Sequence, residues 1–152
     1  MPARWPRASS WCRSARPRCC AAGRDVTLVS YAKTVGACLE AAKGLAQLGV
    51  DAEVIDLRTL KPLDEATILR SVRKTGRLVV VHEAAAPCGV GAEVAAIVSE
   101  QAFESLKAPV RRLTGPDAPA PASWVLEQAG VPQPEAIVRA AAAMVLRDEV
   151  AA

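Results

Sequence analysis

Short apolar runs alternate with amphipathic helical segments along most of the chain, and this alternation restricts the fold more than any other feature. Runs rich in β-branched residues predict strands at residues 26–31, 52–57, 77–82 and 110–113. Helical periodicity marks the segments between and after them, at residues 35–48, 65–74, 89–106, 124–129 and 134–146. Strands that alternate with helices form right-handed βαβ units, and continuously apolar strands are covered on both faces. The sequence therefore predicts one three-layer α/β/α domain with a mainly parallel, doubly wound sheet.

Capping residues predict where two of the helices begin and end. Thr34 precedes the first helical segment and is predicted to cap it, and Gly49 follows its last residue. Asp64 is in the same position before the second helix, which we expect to end at Gly76. For Asp64 this structural role is favoured over a role in a site.

The first 22 residues differ in composition from the rest of the chain. They contain five arginines, three cysteines, three prolines and two tryptophans, but no acidic residue and, after Met1, no aliphatic side chain larger than alanine. Such a segment cannot build a core, so we expect residues 1–22 to be a disordered or non-native basic tail. A non-native start read out of frame from GC-rich DNA is favoured, followed by a mitochondrial transit peptide and then a short RNA-binding arm.

From residue 23 onward the chain carries 14 basic and 16 acidic residues, so the net charge of +3 comes from the tail. The predicted domain at residues 23–147, followed by a tail at 148–152, is therefore not expected to bind nucleic acid. No apolar run reaches the ~18 residues of a membrane span. The five cysteines form no Cys-x-x-Cys pair and the one histidine has no partner at metal-ligand spacing, so no metal site is predicted.

In an open parallel sheet, ligands bind outside the carboxyl ends of the strands, where the strand order reverses. If the second and third predicted strands lie on opposite sides of the first, His82 and Glu83 lie at that point, near residues 31–34. A histidine beside a carboxylate is a candidate acid–base pair. A histidine that only bonds backbone or a neighbouring subunit is the favoured alternative.

A candidate anion site follows at Gly89, Val90 and Gly91, where a helix begins after a strand. The segment lacks the third glycine of a dinucleotide-binding loop and the lysine of a phosphate-binding loop. Glycines that allow loop and helix to pack closely are the favoured interpretation. Cys88 precedes them as a lone cysteine, which is more often packed than reactive.

Charged residues in two loops are candidate contacts with other subunits. Asp56 and Arg58 follow the second strand, and Lys107 and Arg111 lie around the fourth, with Arg112 beside them. Lys107, Arg111 and Arg112 are more simply explained as a solvent-exposed sheet edge than as a phosphate-binding surface, because Arg111 and Arg112 point to opposite faces of the strand.

Five segments occur in the order and spacing of a known family: DVTLVSY at 25–31, VIDLRTLKPLD at 54–64, KTGRLVVVHEA at 74–84, GVGAE at 89–93 and APVRRLTGPDAP at 108–119. From residue 23 to about 146 the chain resembles the C-terminal transketolase-like domain of the beta subunit of 2-oxo acid dehydrogenases, of the pyruvate and branched-chain types. The His82 segment leans toward the branched-chain relatives and the Gly89–Gly91 segment toward the pyruvate relatives.

The resemblance implies an α₂β₂ enzyme that carries thiamine diphosphate and Mg²⁺, decarboxylates a 2-oxo acid and passes the acyl group to a lipoyl group. The cofactor-activating glutamate belongs to a pyrimidine-binding domain that has no counterpart here, so the chain alone is expected to be inactive and to bind no cofactor. The implied partners are the alpha subunit, a second beta subunit and the dihydrolipoyl acyltransferase core. His82 and Glu83 are then expected to face a subunit contact.

Two departures from the family pattern affect these expectations. Residues 16–22 occur in place of an antiparallel edge strand, which predicts that this strand is missing and that the second strand has an exposed edge. Lys107 replaces a residue that is often acidic near the acyltransferase contact. Without the partner domain, Val90, Val94, Trp124 and Leu126 are expected to be exposed and to cause self-association.

Two other functions compete with this one. The chain is either a stand-alone module that binds small anions at the Gly89–Gly91 helix start or the product of a non-functional gene fragment. The expected location is the bacterial cytoplasm, or the mitochondrial matrix if the tail is a transit peptide.

Overall fold

Five strands form one sheet in the described part of the chain. The computed structural model describes residues 18–150, with side chains as far as residue 146. The strands are β1 (Arg18–Ala21), β2 (Val26–Ser30), β3 (Ala52–Asp56), β4 (Leu78–Val81) and β5 (Arg111–Leu113). The helices are α1 (Thr34–Gln47), α2 (Glu65–Thr75), α3 (Val90–Gln101), α4 (Trp124–Gly130) and α5 (Pro134–Val150), with a short 3₁₀ helix at Phe103–Ser105.

The strands are arranged in the order β1-β3-β2-β4-β5. Strand β2 pairs in parallel with β3 on one side and with β4 on the other, and β5 is parallel to β4. This order confirms the predicted doubly wound sheet. Strands β3 and β4 lie on opposite sides of β2, which is the condition on which the expected position of His82 depended. The helix predicted at 89–106 is shorter than expected, because Ala102 leaves the helical conformation and a 3₁₀ turn follows.

The edge strand that was expected to be missing is present. Strand β1 pairs antiparallel with β3, with Arg18 opposite Asp56 and Cys19 opposite Ile55. The prediction of an exposed β3 edge was therefore wrong, and residues 18–21, which the sequence analysis assigned to the tail, form a strand of the sheet. An edge strand pairs through backbone groups, so it needs few β-branched residues; here Cys20 and Ala21 pack against the core. Residues 1–17 of the predicted tail lie outside the described residues.

The sheet separates two hydrophobic cores, as expected for three layers. Alternate residues of each strand point to opposite faces, so Leu28 belongs to one core and Val29 to the other. The first core lies between the sheet and helices α1 and α5, and includes Leu45 and Ile137. The second lies between the sheet and helices α2 and α3, and includes Ile68, Leu69, Val94 and Val98.

The two predicted helix caps had different outcomes. Asp64 caps α2 by accepting a hydrogen bond from the Thr67 backbone N–H at 3.0 Å, and Gly76 ends the helix in the left-handed conformation at φ 75°. Thr34, in contrast, is the first residue of α1 and caps nothing. Its hydroxyl is buried, 2.8 Å from the Ser30 hydroxyl, and donates to the Tyr31 carbonyl at 3.0 Å. Tertiary contacts of Thr34 therefore replace the predicted cap.

Buried polar groups join α2 to the amino end of the sheet. The Thr27 hydroxyl is 2.7 Å from that of Ser71 and 2.8 Å from that of Thr75. On β3, the buried Glu53 carboxylate forms an ion pair with Lys74. Burial alone would raise the pKa of Glu53, but bonds from Lys74 and from other donors hold that pKa below its ordinary value.

Candidate functional site

The carboxyl ends of β2 and β4 meet where the strand order reverses. The Ser30 hydroxyl at the end of β2 donates to the Val81 carbonyl at the end of β4 at 3.0 Å. The Thr34 hydroxyl lies beside it, 2.8 Å away. These buried hydroxyls lie in contact with each other, and the Ser30 hydroxyl bonds across the crevice between the two strands. The crevice is therefore filled by the protein's own side chains at this depth.

His82 follows β4 and is fully buried, although the sequence analysis placed it where ligands bind, at the carboxyl ends of the strands. Its Nε2 atom accepts a hydrogen bond from the Gly91 backbone N–H at 3.2 Å. The Tyr31 ring stacks on the imidazole, with ring centroids 6.0 Å apart and an interplanar angle of 23°. Because Nε2 accepts, the neutral ring carries its proton on Nδ1. Among the described residues, Nδ1 has no hydrogen-bond partner of ordinary geometry.

The surroundings of His82 keep its ring neutral. Burial lowers the pKa of His82 below its ordinary value, the Arg112 guanidinium lowers it further, and the Ala84 backbone partly opposes the two. The Glu83 side chain is exposed, and in the described part of the chain no hydrogen bond joins it to the His82 ring. The geometry thus supports the backbone-bonding interpretation of His82 rather than an acid–base pair.

The glycines at the start of α3 make room for this ring. A Cβ atom at Gly91 would lie 2.5 Å from Nε2 of His82, and one at Gly89 would lie 2.8 Å from Cε1. The Gly91 N–H is already bonded to His82, and the Ala92 N–H donates to the Gly89 carbonyl at 2.8 Å. The structure therefore favours close packing over an anion site at Gly89, Val90 and Gly91. Cys88 precedes them, exposed and at φ 55°.

The loop candidates lie at different ends of the sheet. Asp56 and Arg58 follow β3 at its carboxyl end, where the Arg58 Nε and an Asp56 carboxylate oxygen are 3.0 Å apart. Lys107 lies at the amino end, with its side chain over Gly76 and its N–H bonded to the Gly76 carbonyl at 2.8 Å. Arg111 is exposed on β5, opposite Val79. The structure does not bring these four residues into one surface, and their contacts with other subunits remain predictions.

A groove that the sequence analysis did not assign lies beside Glu83. It has a volume of about 650 Å³ and runs between the loop after β4, the segment at residues 116–121 and helix α4. We call it the acidic groove; its lining includes Glu83, Ala84, Pro116, Pro119, Leu126 and Glu127. The only signals in the sequence were the spaced prolines and the apolar Trp124-Val125-Leu126 triplet.

The apolar residues that were expected to be exposed differ in their exposure. Trp124 is 71% exposed and Leu126 60% exposed, which confirms the expectation for α4. For Val94 the prediction was wrong, because this residue is fully buried in the core between the sheet and helices α2 and α3. Val90 is half-buried against the same core. The apolar surface at this end of the molecule is therefore concentrated on α4.

Neither a metal-binding cluster nor a membrane-spanning helix occurs among the described residues. No group of three or more His, Cys, Asp or Glu side chains in the described part of the chain is arranged to hold a metal ion. No helix among these residues is both long enough and apolar enough to cross a membrane.

Comparison with protein families identifies the domain. The family described as "Transketolase, C-terminal domain" matches residues 18–137, which is most of the chain. The chain belongs to this family. The match begins at the first residue of β1, so the edge strand is part of the family domain.

Relatives of this transketolase C-terminal domain include subunits of several oxidoreductases. The chain is 51% identical over 119 residues to pyruvate dehydrogenase E1 component subunit beta-2, mitochondrial, of Oryza sativa subsp. japonica, covering 78% of this chain and 32% of that protein. It is 45% identical over 116 residues to the acetoin:2,6-dichlorophenolindophenol oxidoreductase subunit beta of Bacillus subtilis (strain 168), covering 76% of this chain and 34% of that one. The chain spans about a third of the length of these relatives.

A solved structure shares the domain's fold. It is described as a split gene transketolase, inactive beta4 tetramer, and it superimposes with a TM-score of 0.74 at 30% identity. The match covers 88% of this chain and 42% of the other. A 2-oxoglutarate:ferredoxin oxidoreductase from Magnetococcus marinus matches with a TM-score of 0.56 at 16% identity, which shows the fold alone.

Proposed function

We propose that this chain is an assembly domain of the beta subunit of a thiamine-diphosphate-dependent 2-oxo acid dehydrogenase. The observation that carries the proposal is the identity of about half the residues with pyruvate dehydrogenase beta subunits across the whole transketolase C-terminal domain. The enzyme that the domain supports would oxidatively decarboxylate a 2-oxo acid of the pyruvate type and transfer the acyl group to a lipoyl group.

The chain is proposed to have no catalytic activity by itself. His82 is fully buried, and one of its nitrogens is engaged by the Gly91 N–H. A general acid or base must reach the reacting atom, and a buried ring that bonds backbone does not meet this condition. The geometry thus supports a structural role for the residue that is the best acid–base candidate in the sequence.

The described residues do not fit thiamine diphosphate with Mg²⁺. A diphosphate needs free N–H groups or cations, and Mg²⁺ prefers carboxylate and other oxygen ligands. Here the Gly91 N–H is used internally, and in the described part of the chain no group of three acidic, histidine or cysteine side chains is arranged to hold a metal ion. We therefore place the cofactor in the whole enzyme and assign no step of the reaction to this domain.

The proposed partners are the alpha subunit, a second beta subunit and the dihydrolipoyl acyltransferase core. The exposed α4 residues Trp124, Val125 and Leu126 support this proposal, because contiguous apolar side chains on a surface are typical of protein interfaces. Lys107, which the resemblance places near the acyltransferase contact, is exposed. Its charge favours an acidic rather than a basic partner surface at that position.

A reconstitution experiment tests the assembly role. The full chain is mixed with the alpha subunit and with a separately expressed pyrimidine-binding domain of the same beta subunit, and the mass is measured by light scattering after gel filtration. We expect a complex that contains all three polypeptides and decarboxylates a 2-oxo acid, whereas any two are inactive. If the chain elutes alone in the three-component mixture, the proposal is wrong.

A further inference from the structure

The acidic groove combines an apolar lining with a helix whose apolar side chains are exposed. Alanine and proline side chains form much of its surface, and Leu126 contributes an aliphatic side chain that is 60% exposed. On the same helix, Trp124 and Val125 are 71% and 68% exposed. The volume of about 650 Å³ is large enough for one or two side chains of a peptide. An apolar side chain is therefore one element that fits the groove.

The charged groups of the groove have one sign. Glu83 enters it from the loop after β4 and Glu127 from helix α4, and no lysine or arginine is among the described residues that line it. Asp117, in the segment between Pro116 and Pro119, adds a third exposed carboxylate close by. Because none of the described residues that line the groove supplies a cation to pair with these carboxylates, the carboxylates attract positively charged groups of a ligand.

Hydrogen-bond acceptors also outnumber donors along the groove. Pro116, Pro119 and Pro121 have no backbone N–H group. No hydrogen bond in the described part of the chain engages the backbone of residues 117–122, so their carbonyl groups remain available. A surface that offers carboxylates and carbonyls suits a ligand that is rich in N–H donors. Arginine, with five donors, and lysine, with three, meet this requirement.

We propose that the acidic groove binds a segment of a partner polypeptide in which an apolar side chain lies next to an arginine or lysine. The apolar side chain would occupy the alanine, proline and Leu126 surface, and the cation would lie between Glu83 and Glu127. The inference rests on the proposed assembly function, since it names the chemistry by which one partner is recognised.

Peptide binding to the full chain tests this inference. The probe is the acetylated and amidated peptide Ala-Leu-Arg-Leu-Arg-Ala, and the matched control peptide has glutamine in place of each arginine. We expect the arginine peptide to bind more tightly, to shift the ¹H–¹⁵N signals of Ala84, Leu126 and Val131, and to bind less tightly as salt is raised.

Variants locate the binding surface. Replacing both carboxylates, with Glu83→Gln and Glu127→Gln, is expected to weaken binding of the arginine peptide by roughly threefold to tenfold. Glu104→Gln removes an equally exposed carboxylate from the distant 3₁₀ helix and should leave the affinity unchanged. Unchanged binding in the double variant, or equal binding of the two peptides, would overturn the inference.

The remaining outcomes separate this inference from the proposed function. If the chain forms a dimer that Leu126→Glu dissociates, and the peptide does not bind, a second copy occupies the groove and the inference is wrong. If the peptide fails to bind while the three-component complex still assembles, the inference fails and the assembly function stands. If the peptide binds at the groove while the three-component complex does not assemble, the inference stands and the proposed assembly function is wrong.

Discussion

The two ends of the sheet satisfy their polar groups in different ways. At the amino end, Thr27 bonds to Ser71 and Thr75, and Glu53 pairs with Lys74. At the carboxyl end the Ser30 and Thr34 hydroxyls and the His82 ring close the crevice between β2 and β4, and beyond them lie the acidic groove and the exposed α4 side chains. The amino end therefore has contacts that stabilise the fold, whereas the outer layer of the carboxyl end has groups available to a partner.

The largest effect is expected where the carboxyl end is closed. In Gly91→Ala the new methyl group would lie 2.5 Å from Nε2 of His82, so the ring or α3 must move and their hydrogen bond is strained. We expect the free energy of unfolding to fall by about 2–3 kcal/mol, measured by urea denaturation.

Gly36→Ala is the control for this substitution. A Cβ atom at Gly36, in helix α1, meets nothing within 4 Å. The variant should be unchanged or more stable by about 0.5–1 kcal/mol, because alanine favours the helix. Equal stability losses in the two glycine variants would show that the contact with His82 is not the cause.

Removal of the central hydroxyl at the amino end should have the next largest effect. Thr27→Val conserves the shape of the side chain but leaves the buried Ser71 and Thr75 hydroxyls without their shared partner. We expect a loss of about 1–3 kcal/mol in the free energy of unfolding. Ser99→Ala removes an exposed hydroxyl from α3 and should change stability by less than about 0.5 kcal/mol. If the two variants lose a similar amount of stability, the hydrogen bonds of the Thr27 hydroxyl do not stabilise the amino end of the sheet.

The two ends should also respond to acid in different pH ranges. The pKa of His82 is below its ordinary value of 6.5, so the unfolded chain binds this proton first and stability falls as the pH drops below about 6.5. The pKa of Glu53 is below its ordinary value of 4.5, so its contribution is complete above that pH and is lost as the pH falls through the lowered pKa.

Unfolding experiments from pH 8 to pH 3 can separate these contributions. Because the sequence contains one histidine, His82→Asn should remove the dependence near pH 6 and leave the more acidic one. Lys74→Met should instead weaken the acidic dependence, since it removes the cation that pairs with Glu53. If His82→Asn leaves the dependence near pH 6 intact, the buried ring is not its source.

The smallest effect on stability is expected in the outer layer of the carboxyl end. Leu126→Ser changes a side chain that is 60% exposed, so the free energy of unfolding should change by less than about 0.5 kcal/mol. The same variant should reduce self-association at micromolar concentration, measured by sedimentation velocity. A large loss of stability would mean that Leu126 belongs to the core rather than to a contact surface.

The parts of the fold that depend on local patterns could be predicted from the sequence. Asp64 and Gly76 act through neighbours in the chain, and both have the predicted roles. Thr34 did not, because its hydroxyl contacts Ser30 in a different element. The apolar strands, taken together, predicted the three layers, whereas the position of the strand-order reversal beside His82 was stated only as a condition.

The features that were missed depend on distant contacts. Strand β1 has little strand propensity of its own, and its order comes from pairing with β3. The acidic groove forms because two loops and α4 meet in space, and residues 116–121 have no periodicity that indicates such a position. The burial of His82 likewise depends on a distant contact, because the backbone of Gly91 packs against its ring.

The strand order has a consequence for how the chain reaches its native state. Central strands β2 and β4 are neighbours in the sheet, yet helix α1, strand β3 and helix α2 separate them along the chain. Closing so long a loop costs entropy before any of the β2–β4 contacts form, so this pairing is intrinsically slow. Until it is made, the apolar edge of β2 is available to other chains. Folding of this domain should therefore be most vulnerable to aggregation before β4 docks.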